Sequence, residues 1–464
     1  MKFSVGVSNV YGRVGTVLRR YAPTGSLGTR LAAVIGASAL AVSIAMVGGA
    51  MPASASTTTA AVLGAGPLSG VACSSATTCE AVGDNGSGQG VVATITSGTP
   101  GTAQVVSGTG AIAGVACPTA ASCQAVGFSF TSSIPPSEGV VVPITSGTPG
   151  SPQAVSGTIA LSSVACPGAT CEAVGDNGSG QGVVVPITSG TPGSPQVVAG
   201  TAQFNGVACS SATTCEAVGD NGSGQGVVVP ITSGTPGSPQ VVSGTADLYG
   251  VACPSATTCV AVGYNASGQG VVVPITSGTT GSPQVVSGTD AIAGVACPSA
   301  TTCVAVGYFY PSSFLSEGVL VPITSGTPGS PQAVSGTIAL SGVACPTATT
   351  CEAVGDNGSG QGVVATIELP AAPGQPTVVP EPSAASLSWS APSSAGSFPV
   401  SSYVITPYVG ATAQTPIDTG STGTSYTVTG LTDGQAYTFT VAAVNGAGEG
   451  PASAASSAVT PTAP

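Results

Sequence analysis

Short valine-rich runs separated by polar turns recur along most of the chain. In residues 246–288 four such runs stand out, LYGVAC, CVAVGY, GVVVPIT and SPQVVSG, each bounded by Gly, Pro, Ser, Thr or Asn. Runs of this composition between turn residues are typical of β-strands. No segment of useful length has the helical period of about 3.6 residues. The pattern therefore predicts four short antiparallel strands in each unit.

The unit repeats with a period of about 44 residues. Its most regular part is first met as GVACSSATTCEAVG at residues 70–83, and all 14 cysteines lie in its seven copies. Repeats of this size belong to solenoids, propellers or arrays, and four antiparallel strands make one propeller blade. The cysteine pairs are Cys73–Cys79, Cys117–Cys123, Cys166–Cys171, Cys209–Cys215, Cys253–Cys259, Cys297–Cys303 and Cys345–Cys351.

The first 55 residues have the pattern of a secretory signal. The basic residues of the chain are Lys2, Arg13, Arg19, Arg20 and Arg30, and all five precede the apolar run 31–50. Ala53, Ser54 and Ala55 follow as a small-x-small cleavage pattern. We predict a signal peptide over residues 1–55, cut near Ser56, with an uncleaved membrane anchor as the alternative.

The paired cysteines are predicted to form disulfides within each unit. Cysteines at a fixed short spacing, in a chain that leaves the cytosol, are typical of disulfides. Metal binding is the alternative, but the chain has no histidine and the pairs are spread over about 280 residues. Each short loop that a disulfide closes is expected to add at most about 2 kcal/mol of stability.

The charge of the chain excludes several classes of partner. Beyond Arg30 there is no Lys, Arg or His, whereas all 17 carboxylates lie in that part. A polypeptide without cations cannot neutralise phosphates or be attracted to an anionic membrane surface. We therefore expect no nucleic-acid partner and, after removal of the signal, no membrane partner.

The two ends of the repeat region predict a closed ring. The seventh copy stops at GVVATIELP (362–370) without an SPQVVSGT run, and a matching run, TAAVLGAG, stands before the first copy. An N-terminal strand that completes the last sheet is how a propeller closes. We predict an all-β protein with a seven-bladed β-propeller over residues 58–369, and a β-solenoid or bead-like array is the alternative.

The repeat VACPSATTCVAVG, followed by a hairpin, resembles the disulfide-bearing propeller repeats of secreted actinobacterial proteins. It is also similar, more loosely, to sialidase-type propeller repeats. Sialidases bind the substrate carboxylate with an arginine cluster, and the predicted mature chain has no arginine. It also has SGTPGSPQ in the turn where the Asp-box pattern would stand. The resemblance thus implies the fold and argues against sialidase activity.

A Pro-rich segment, 370–376, leads to a sequence of another kind in residues 377–464. It contains the only tryptophan, Trp389, in ASLSWSAP, then YVITPY and TSYTVTGLTDGQAYTFTVAAVN. This closely resembles a fibronectin type III domain, with Trp389 in the core and with Leu431 and Tyr437 as its Leu…Tyr corner. Alternating aromatic and Val positions also fit a β-sandwich. The resemblance implies a linker followed by a spacer module.

Four copies contain EAVGDNGSGQG, with carboxylate pairs that could suggest a glycosidase: Glu80/Asp84, Glu172/Asp176, Glu216/Asp220 and Glu352/Asp356. Residues i and i+4 of one strand lie about 13 Å apart, too far for the usual catalytic pair of carboxylates.

We interpret DNGSGQG as a hairpin turn in which Asn-Gly supplies positive φ angles. A weaker hypothesis is calcium, bound by Asp84, Asn85 and Ser87. The chain offers no pair of side chains that could act as nucleophile and general base, and no cofactor is expected.

Two copies replace the short turn with aromatic insertions, at residues 128–139 and 308–318. Clustered aromatic side chains on exposed loops suit stacking on sugars or contact with a protein, although they could also pack only on one another. Turns of the same face are expected to carry further tyrosines and aspartates. The candidate ligand-binding residues are Phe128, Phe130, Tyr308, Phe309, Tyr310, Phe314, Tyr249, Tyr264, Asp247 and Asp290.

These observations predict a secreted or cell-surface binding or scaffold protein that recognises an extracellular glycan or protein. The alternative is an extracellular polysaccharide-degrading glycosidase, or its accessory subunit, that uses only Asp and Glu. The sequence leaves the oligomeric state open.

Overall fold

The computed structural model describes residues 57–130, 137–310 and 316–463. This part of the chain consists of strands and turns, and it holds no helix long and apolar enough to cross a membrane. The predicted signal peptide lies outside it, as do residues 131–136 of the first aromatic insertion and residues 311–315, including Phe314, of the second.

The strands of the first three repeats follow one another in the predicted order. They are β1 Thr58–Ala61, β2 Leu68–Cys73, β3 Thr78–Asp84, β4 Gly90–Thr96, β5 Thr99–Pro100, β6 Gln104–Val106, β7 Ala111–Thr119, β8 Ser122–Phe130, β9 Ser137–Thr145, β10 Thr148–Pro149, β11 Gln153–Val155, β12 Ala160–Ala165, β13 Thr170–Asp176, β14 Gly182–Thr188, β15 Thr191–Pro192 and β16 Gln196–Val198.

The remaining repeats have the same succession. Their strands are β17 Gln203–Cys209, β18 Thr214–Asp220, β19 Gly226–Thr232, β20 Thr235–Pro236, β21 Gln240–Val242, β22 Asp247–Ala252, β23 Thr258–Tyr264, β24 Gly270–Thr276, β25 Thr279–Thr280, β26 Gln284–Val286, β27 Ala291–Ala296, β28 Thr302–Phe309, β29 Glu317–Thr324, β30 Thr327–Pro328, β31 Gln332–Ala333, β32 Ala339–Ala344, β33 Thr350–Asp356 and β34 Gly362–Glu368.

Each repeat forms one antiparallel sheet, and we number these sheets 1 to 7 in chain order. In sheet 1 the order is β2-β3-β4, and the edge beside β4 is shared by the short strands β5 and β6. Sheets 2 to 6 repeat this arrangement, so the predicted four strands are present together with a two-residue fifth strand. Sheet 7 has the order β32-β33-β34-β1.

Glycines allow the first strands of neighbouring sheets to approach closely. A Cβ atom at Gly294 in sheet 6 would lie 3.0 Å from the Ser341 carbonyl oxygen in sheet 7. At Gly342 in sheet 7 it would lie 3.1 Å from the Ser69 carbonyl oxygen in sheet 1. Sheet 7 is therefore the neighbour of sheet 1, and the sheets form a closed β-propeller.

The N-terminal strand completes the last sheet, as predicted. β1 pairs antiparallel with β34, with Thr58 opposite Thr366 and Ala61 opposite Val363. Val62 continues this pairing, because its N–H donates to the Gly362 carbonyl oxygen at 2.8 Å. Its side chain is 2% exposed and packs among apolar side chains of sheets 1 and 7. The two ends of the repeat region thus meet in one sheet.

All seven predicted disulfides are present and each joins the two cysteines of one repeat. In sheets 1 and 4 the two cysteines are directly opposite each other on the first and second strands, as for Cys73 and Cys79. The second cysteine of each pair is buried, as shown by Cys79 at 2% exposure. The bonds therefore fix the strand pairs at their turn.

The positive φ angles of the DNGSGQG loops agree with the prediction only at the glycine of Asn-Gly. In the DNGSGQG loops they are found at glycines such as Gly86 (74°) and Gly88 (79°), and Asn85 does not share them. Two-residue turns with two positive φ angles instead join the third and fourth strands, as at Ser233 (49°) and Gly234 (76°). Such a turn matches the twist of the flanking strands. The Asn-Gly prediction is thus confirmed for the glycine and wrong for the asparagine, because the loop is five residues long and its second positive φ falls at Gly88.

Residues beyond the propeller form a β-sandwich. Its strands are β35 Thr377–Glu381, β36 Ala384–Ser388, β37 Ser402–Val409, β38 Thr412–Ala413, β39 Ile417–Asp418, β40 Ser425–Thr429, β41 Thr438–Asn445 and β42 Gly448–Glu449. One sheet has the order β35-β36-β40, and the other has β38-β37-β41-β42 with β39 beside β37. Trp389, Leu431 and Tyr437 lie in the core between them. The Tyr437 hydroxyl accepts a hydrogen bond from the Thr432 N–H at 3.2 Å, which makes the expected tyrosine corner.

The sandwich packs directly on sheets 6 and 7. Leu369, Phe398 and Ala447 share one buried cluster with the propeller residues Val304 and Leu320. The backbone of Glu368 makes hydrogen bonds in both directions with Ser397, each 2.9 Å long. Leu369, the last residue of the predicted propeller, is buried in this contact between the two parts.

A turn of the sandwich occupies a place that a Ser-Gly turn fills elsewhere in the ring. In sheet 6 a Cβ atom at Gly326 would lie 3.6 Å from Pro274 Cβ in sheet 5. Sheet 7 has no Ser-Gly turn, since β34 runs on into Leu369. Pro322 of sheet 6 is the counterpart of Pro274. A Cβ atom at Gly448 of the sandwich would lie 3.7 Å from Pro322 Cβ. The β41–β42 turn thus takes the place of the missing hairpin.

Asn445→Ala is expected to loosen this contact. Asn445 is 3% exposed, and its amide donates to the carbonyl oxygens of Glu368 (3.2 Å) and Ala395 (2.8 Å). Its Oδ1 accepts from the N–H groups of Ala447 (2.8 Å) and Gly448 (3.2 Å). Loss of a buried amide with these partners should cost about 2–4 kcal/mol.

Thermal unfolding and limited proteolysis within residues 370–376 would measure this effect. Asn265→Ala, in a DNGSGQG-type loop, is the matched control because its Oδ1 also accepts two backbone N–H groups. Equal melting temperatures and equal cleavage rates for the two variants would contradict the role assigned to Asn445.

Candidate binding site at the strand ends of sheets 5 and 6

The propeller has two faces with different chemistry. On the first, which we call the loop face, the second strand of each sheet ends and the third begins, as at Asp84 and Gly90. The disulfide loops and the Ser-Gly turns lie at the other end of the sheets, where the Ser277 N–H donates to the Thr257 carbonyl oxygen at 2.7 Å. The described ends of both aromatic insertions lie on the loop face, at Phe130 and Ser137 in sheet 2 and at Phe309 and Glu317 in sheet 6.

Sheets 5 and 6 bring four tyrosines together on the loop face. The rings of Tyr249 and Tyr264 have centroids 5.5 Å apart, and their side chains are hydrogen-bonded. Tyr308 and Tyr310 are in edge-to-face contact at 5.7 Å. Tyr308 is buried and packs with Tyr249 and Tyr264, whereas Tyr310 is 39% exposed. We call these four residues the tyrosine cluster.

Two carboxylates adjoin the tyrosine cluster. Asp247 is 1% exposed, and its Oδ1 accepts a hydrogen bond of 2.9 Å from the side-chain amide of Asn205 in sheet 4. The Oδ2 of Asp290 accepts a hydrogen bond of 2.6 Å from the Tyr310 N–H. Asp290 thereby holds the backbone at the start of the second insertion.

The buried phenol groups of Tyr249 and Tyr308 are held in the neutral form. Burial raises the pKa of Tyr249 far above its usual value, and the charge of Asp247 adds to this effect. Burial likewise raises the pKa of Tyr308, with smaller effects from Tyr310 and Asp290. The cluster therefore presents hydroxyl donors and electron-rich ring faces beside negative charge.

The structure corrects the positions of several candidate residues. Asp247 and Tyr249 were expected in turns but lie in the innermost strand of sheet 5, and Tyr264 ends the second strand. A register shift between Leu248 and Gly250 falls at Tyr249. Tyr308 was expected on an exposed loop but ends up buried in β28, next to the half-buried Phe309. The prolonged pairing of β28 with β29 places these aromatic residues in strands.

The first insertion has an aromatic pair of its own. Phe128 and Phe130 are in edge-to-face contact at 5.2 Å, and Phe130 is 66% exposed. Neither belongs to the buried tyrosine cluster among the described residues. Phe314 lies outside the described residues.

The sequence analysis did not single out Asn205, although Asn205 stands at the repeat position of Tyr249. An alignment of the repeats could have found it.

The Glu/Asp pairs do not converge on one site. Glu80 lies near one end of β3 and Asp84 at the other, and the same holds in the three other copies. Each glutamate is buried beneath the Ser-Gly turn of the next sheet, as Glu216 is beneath Gly278. This arrangement does not supply the facing carboxylates of a glycosidase.

The loop oxygens suggested for calcium already have partners. Asp84 Oδ1 accepts from the Gly86 N–H at 2.6 Å, and Asn85 Oδ1 accepts from the Ser87 N–H at 2.9 Å. These local bonds are the ones by which Asp and Asn form turns. In the described residues no group of three or more His, Cys, Asp or Glu could hold a metal ion. The geometry favours a loop-forming role for Asp84, Asn85 and Ser87.

Comparison with known proteins identifies the C-terminal part. Residues 371–459 match the family model "Fibronectin type III domain". No curated protein sequence matches the chain. Among solved structures, "Titin kinase and its flanking domains" is 24% identical over 20% of this chain and 17% of that chain, with a TM-score of 0.19. This chain thus spans less than a fifth of the titin chain.

Two propeller structures match the larger part. The WD40 β-propeller domain of Doa1 is 11% identical over 67% of this chain and 95% of that chain, with a TM-score of 0.48. "YCF48 bound to D1 peptide" is 11% identical over 68% of this chain and 97% of that chain, with a TM-score of 0.46. From its own strand pairing and the family match, the described part of the chain is all-β, with a β-propeller followed by a fibronectin type III domain.

Proposed function

We propose that this chain is an extracellular, non-catalytic binding or scaffold protein whose loop face binds a glycan or a protein. The observation that carries the proposal is the tyrosine cluster. Six of the seven sheets lack a tyrosine at the position of Tyr249, and the ring is otherwise built from near-identical small residues. Such a local concentration of aromatic and acidic side chains at a propeller face is typical of a recognition site.

The proposed architecture is a complete seven-bladed ring over residues 58–369. Sheets 1 to 7 would be its blades, residues 370–376 would join it to the sandwich, and residues 377–464 would form the second domain. The pairing of β1 with β34 and the close approach of Gly342 to Ser69 support this arrangement.

An extracellular location is proposed on the disulfides and on the domain type. Seven disulfides in one chain are typical of proteins outside the cytosol. The predicted signal peptide over residues 1–55 agrees with export. A fibronectin type III domain is common in proteins of that compartment, and here it also supports the ring.

Arrays of glycans and of peptides, probed with the wild-type protein and with Tyr310→Ala, would test the function. Tyr310 is exposed, so its removal should leave the fold intact and reduce binding by about fivefold or more. Val379→Ala removes a side chain that is 61% exposed in the sandwich and should leave binding unchanged. If no glycan and no peptide distinguishes Tyr310→Ala from the wild type, the loop face is not the binding surface.

A further inference from the structure

We propose that the partner of the loop face is a basic protein segment, rich in lysine or arginine, that contacts the tyrosine cluster and the carboxylates around it. This inference rests on the proposed function and adds the chemistry of the partner.

Every sheet contributes at least one carboxylate to the loop face. Eight of the 13 carboxylates in residues 58–369 lie at this end of the sheets, at Asp84, Glu138, Asp176, Asp220, Asp247, Asp290, Glu317 and Asp356. Because the chain has no Lys, Arg or His beyond Arg30, none of them has a basic side chain of this part as a partner. The loop face therefore has a negative potential that attracts cations.

Two of these carboxylates have unused hydrogen-bonding capacity. Asp176 Oδ1 and Asp220 Oδ2 are buried and have no hydrogen-bond partner among the described residues. The two residues are 8% and 4% exposed. A buried carboxylate oxygen without a donor is unfavourable, and a charged N–H donor is the strongest partner that it can gain. No basic side chain of the described ring offsets their charge, so both carboxylates add to the negative potential of the loop face without being contacted directly.

The tyrosine cluster adds a second means of holding a cation. Tyr310 is 39% exposed, and Asp290 accepts the Tyr310 N–H, so a ring face and a carboxylate lie side by side. A lysine ammonium or an arginine guanidinium is attracted both to the face of a tyrosine and to a carboxylate. A neutral sugar could stack on Tyr310 but would gain nothing from the surrounding charge.

The distribution of charge favours a polypeptide over a small cation. The carboxylates come from all seven sheets and are therefore spread around the ring rather than gathered at one point. A small cation can contact one or two of them, whereas an extended basic chain can contact several. Complementary charge of this kind gives specificity and rapid association.

Fluorescence anisotropy with a labelled lysine-rich peptide tests the inference on the full chain. The dissociation constant should increase about tenfold between low salt and about 0.3 M salt, because five of the eight carboxylates, among them Asp290, are partly exposed to solvent. Tyr310→Ala should weaken binding about fivefold, and Tyr310→Phe, which keeps the ring face, should restore most of it. Asp290→Asn should weaken binding about threefold.

Asp418→Asn provides the matched control for the change in net charge. Asp418 lies in the sandwich, is exposed, and also accepts one backbone N–H, from Gly420 at 3.0 Å. If Asp418→Asn weakens binding as much as Asp290→Asn, attraction is unspecific and the inference fails. It also fails if a peptide with glutamine in place of lysine binds equally well.

The arrays described above separate the two proposals. If a neutral glycan binds through Tyr310 and is insensitive to salt, the proposed function stands and the basic partner is refuted. If neither the lysine-rich peptide nor any member of the arrays depends on Tyr310, both proposals are refuted together.

Discussion

Val62→Asp is expected to be the most destabilising single substitution at the closure of the ring. Val62 is 2% exposed and packs against Val364 of sheet 7 and Val91 of sheet 1. A carboxylate at this position would be buried without a cation, since the described part of the chain has none to offer. We expect a cost of about 3–5 kcal/mol from the lost apolar contacts and the uncompensated charge.

The neighbouring residue supplies the control. Leu63 is 68% exposed, so Leu63→Asp introduces the same charge one residue later and should change the stability by less than about 0.5 kcal/mol. Calorimetry and circular dichroism at neutral pH would measure both variants. A Val62→Asp protein that melts together with Leu63→Asp would mean that the N-terminal strand does not hold the ring closed.

The protein is expected to be more stable at pH 4.5 than at pH 8. Burial raises the pKa of Glu216 from 4.5 to about 7 and that of Asp176 from 3.8 to about 6. Among the described residues, every carboxylate with a clear displacement of its pKa is displaced upward, including Glu80 and Glu352. The folded protein therefore binds protons more tightly than the unfolded chain does.

The direction of the effect follows from this difference. For Glu216 the stabilisation is fully present below pH 4.5 and is lost as the pH rises from 4.5 to about 7. The rise of its pKa corresponds to about 3 kcal/mol at pH 8. Protonation thus stabilises the fold, which supports the acid tolerance that an acidic chain without cations already suggests. We expect the melting temperature to fall by about 5–10 °C between pH 4.5 and pH 8.

Glu216→Gln should remove much of this dependence. Glu216 Oε2 is buried without a hydrogen-bond partner among the described residues, and Pro230 stands opposite it on the next strand. Sheet 2 has Gln124 at the same repeat position, also opposite a proline. The amide should therefore be accepted, with about 2–3 kcal/mol gained at pH 8 and little change at pH 4.5.

Glu352→Gln is the comparison for this measurement. The Thr366 hydroxyl donates a hydrogen bond of 2.9 Å to Glu352 Oε2, which opposes the effect of burial on its pKa. Glu352→Gln should flatten the pH profile less than Glu216→Gln does.

Pro230→Thr would give Glu216 the same kind of hydroxyl donor and should lower the pKa of Glu216. A melting temperature that rises from pH 4.5 to pH 8 would show that burial does not govern these carboxylates.

Local features of the fold could be predicted from the sequence because they depend on neighbouring residues. The spacing of Cys73 and Cys79 predicted their disulfide, and the missing run after Gly362 predicted the pairing of β1 with β34. The positive φ angles were predicted only in part. Gly86 has the expected angle, whereas the second one falls at Gly88 because the strand pairing imposes a five-residue loop.

The contact between sandwich and propeller could not be predicted, because it depends on shapes that meet far apart in the sequence. Nothing in the residues near Asn445 indicates that their turn fits against Pro322. The candidate site was predicted in composition but not in position. Tyr249 and Tyr308 were predicted on turns or loops, whereas the structure places Tyr249 in the first strand of sheet 5 and buries Tyr308 in the extended strand β28 of sheet 6.

The closure of the ring has a consequence for how such a protein can evolve. Each intermediate unit contacts its neighbours in the same way, and only the first and last segments carry the join. Recombination between near-identical units could therefore delete or duplicate one of them without disturbing the two ends that meet. The circumference could change in a single genetic event, and rings of different diameter would arise from one gene.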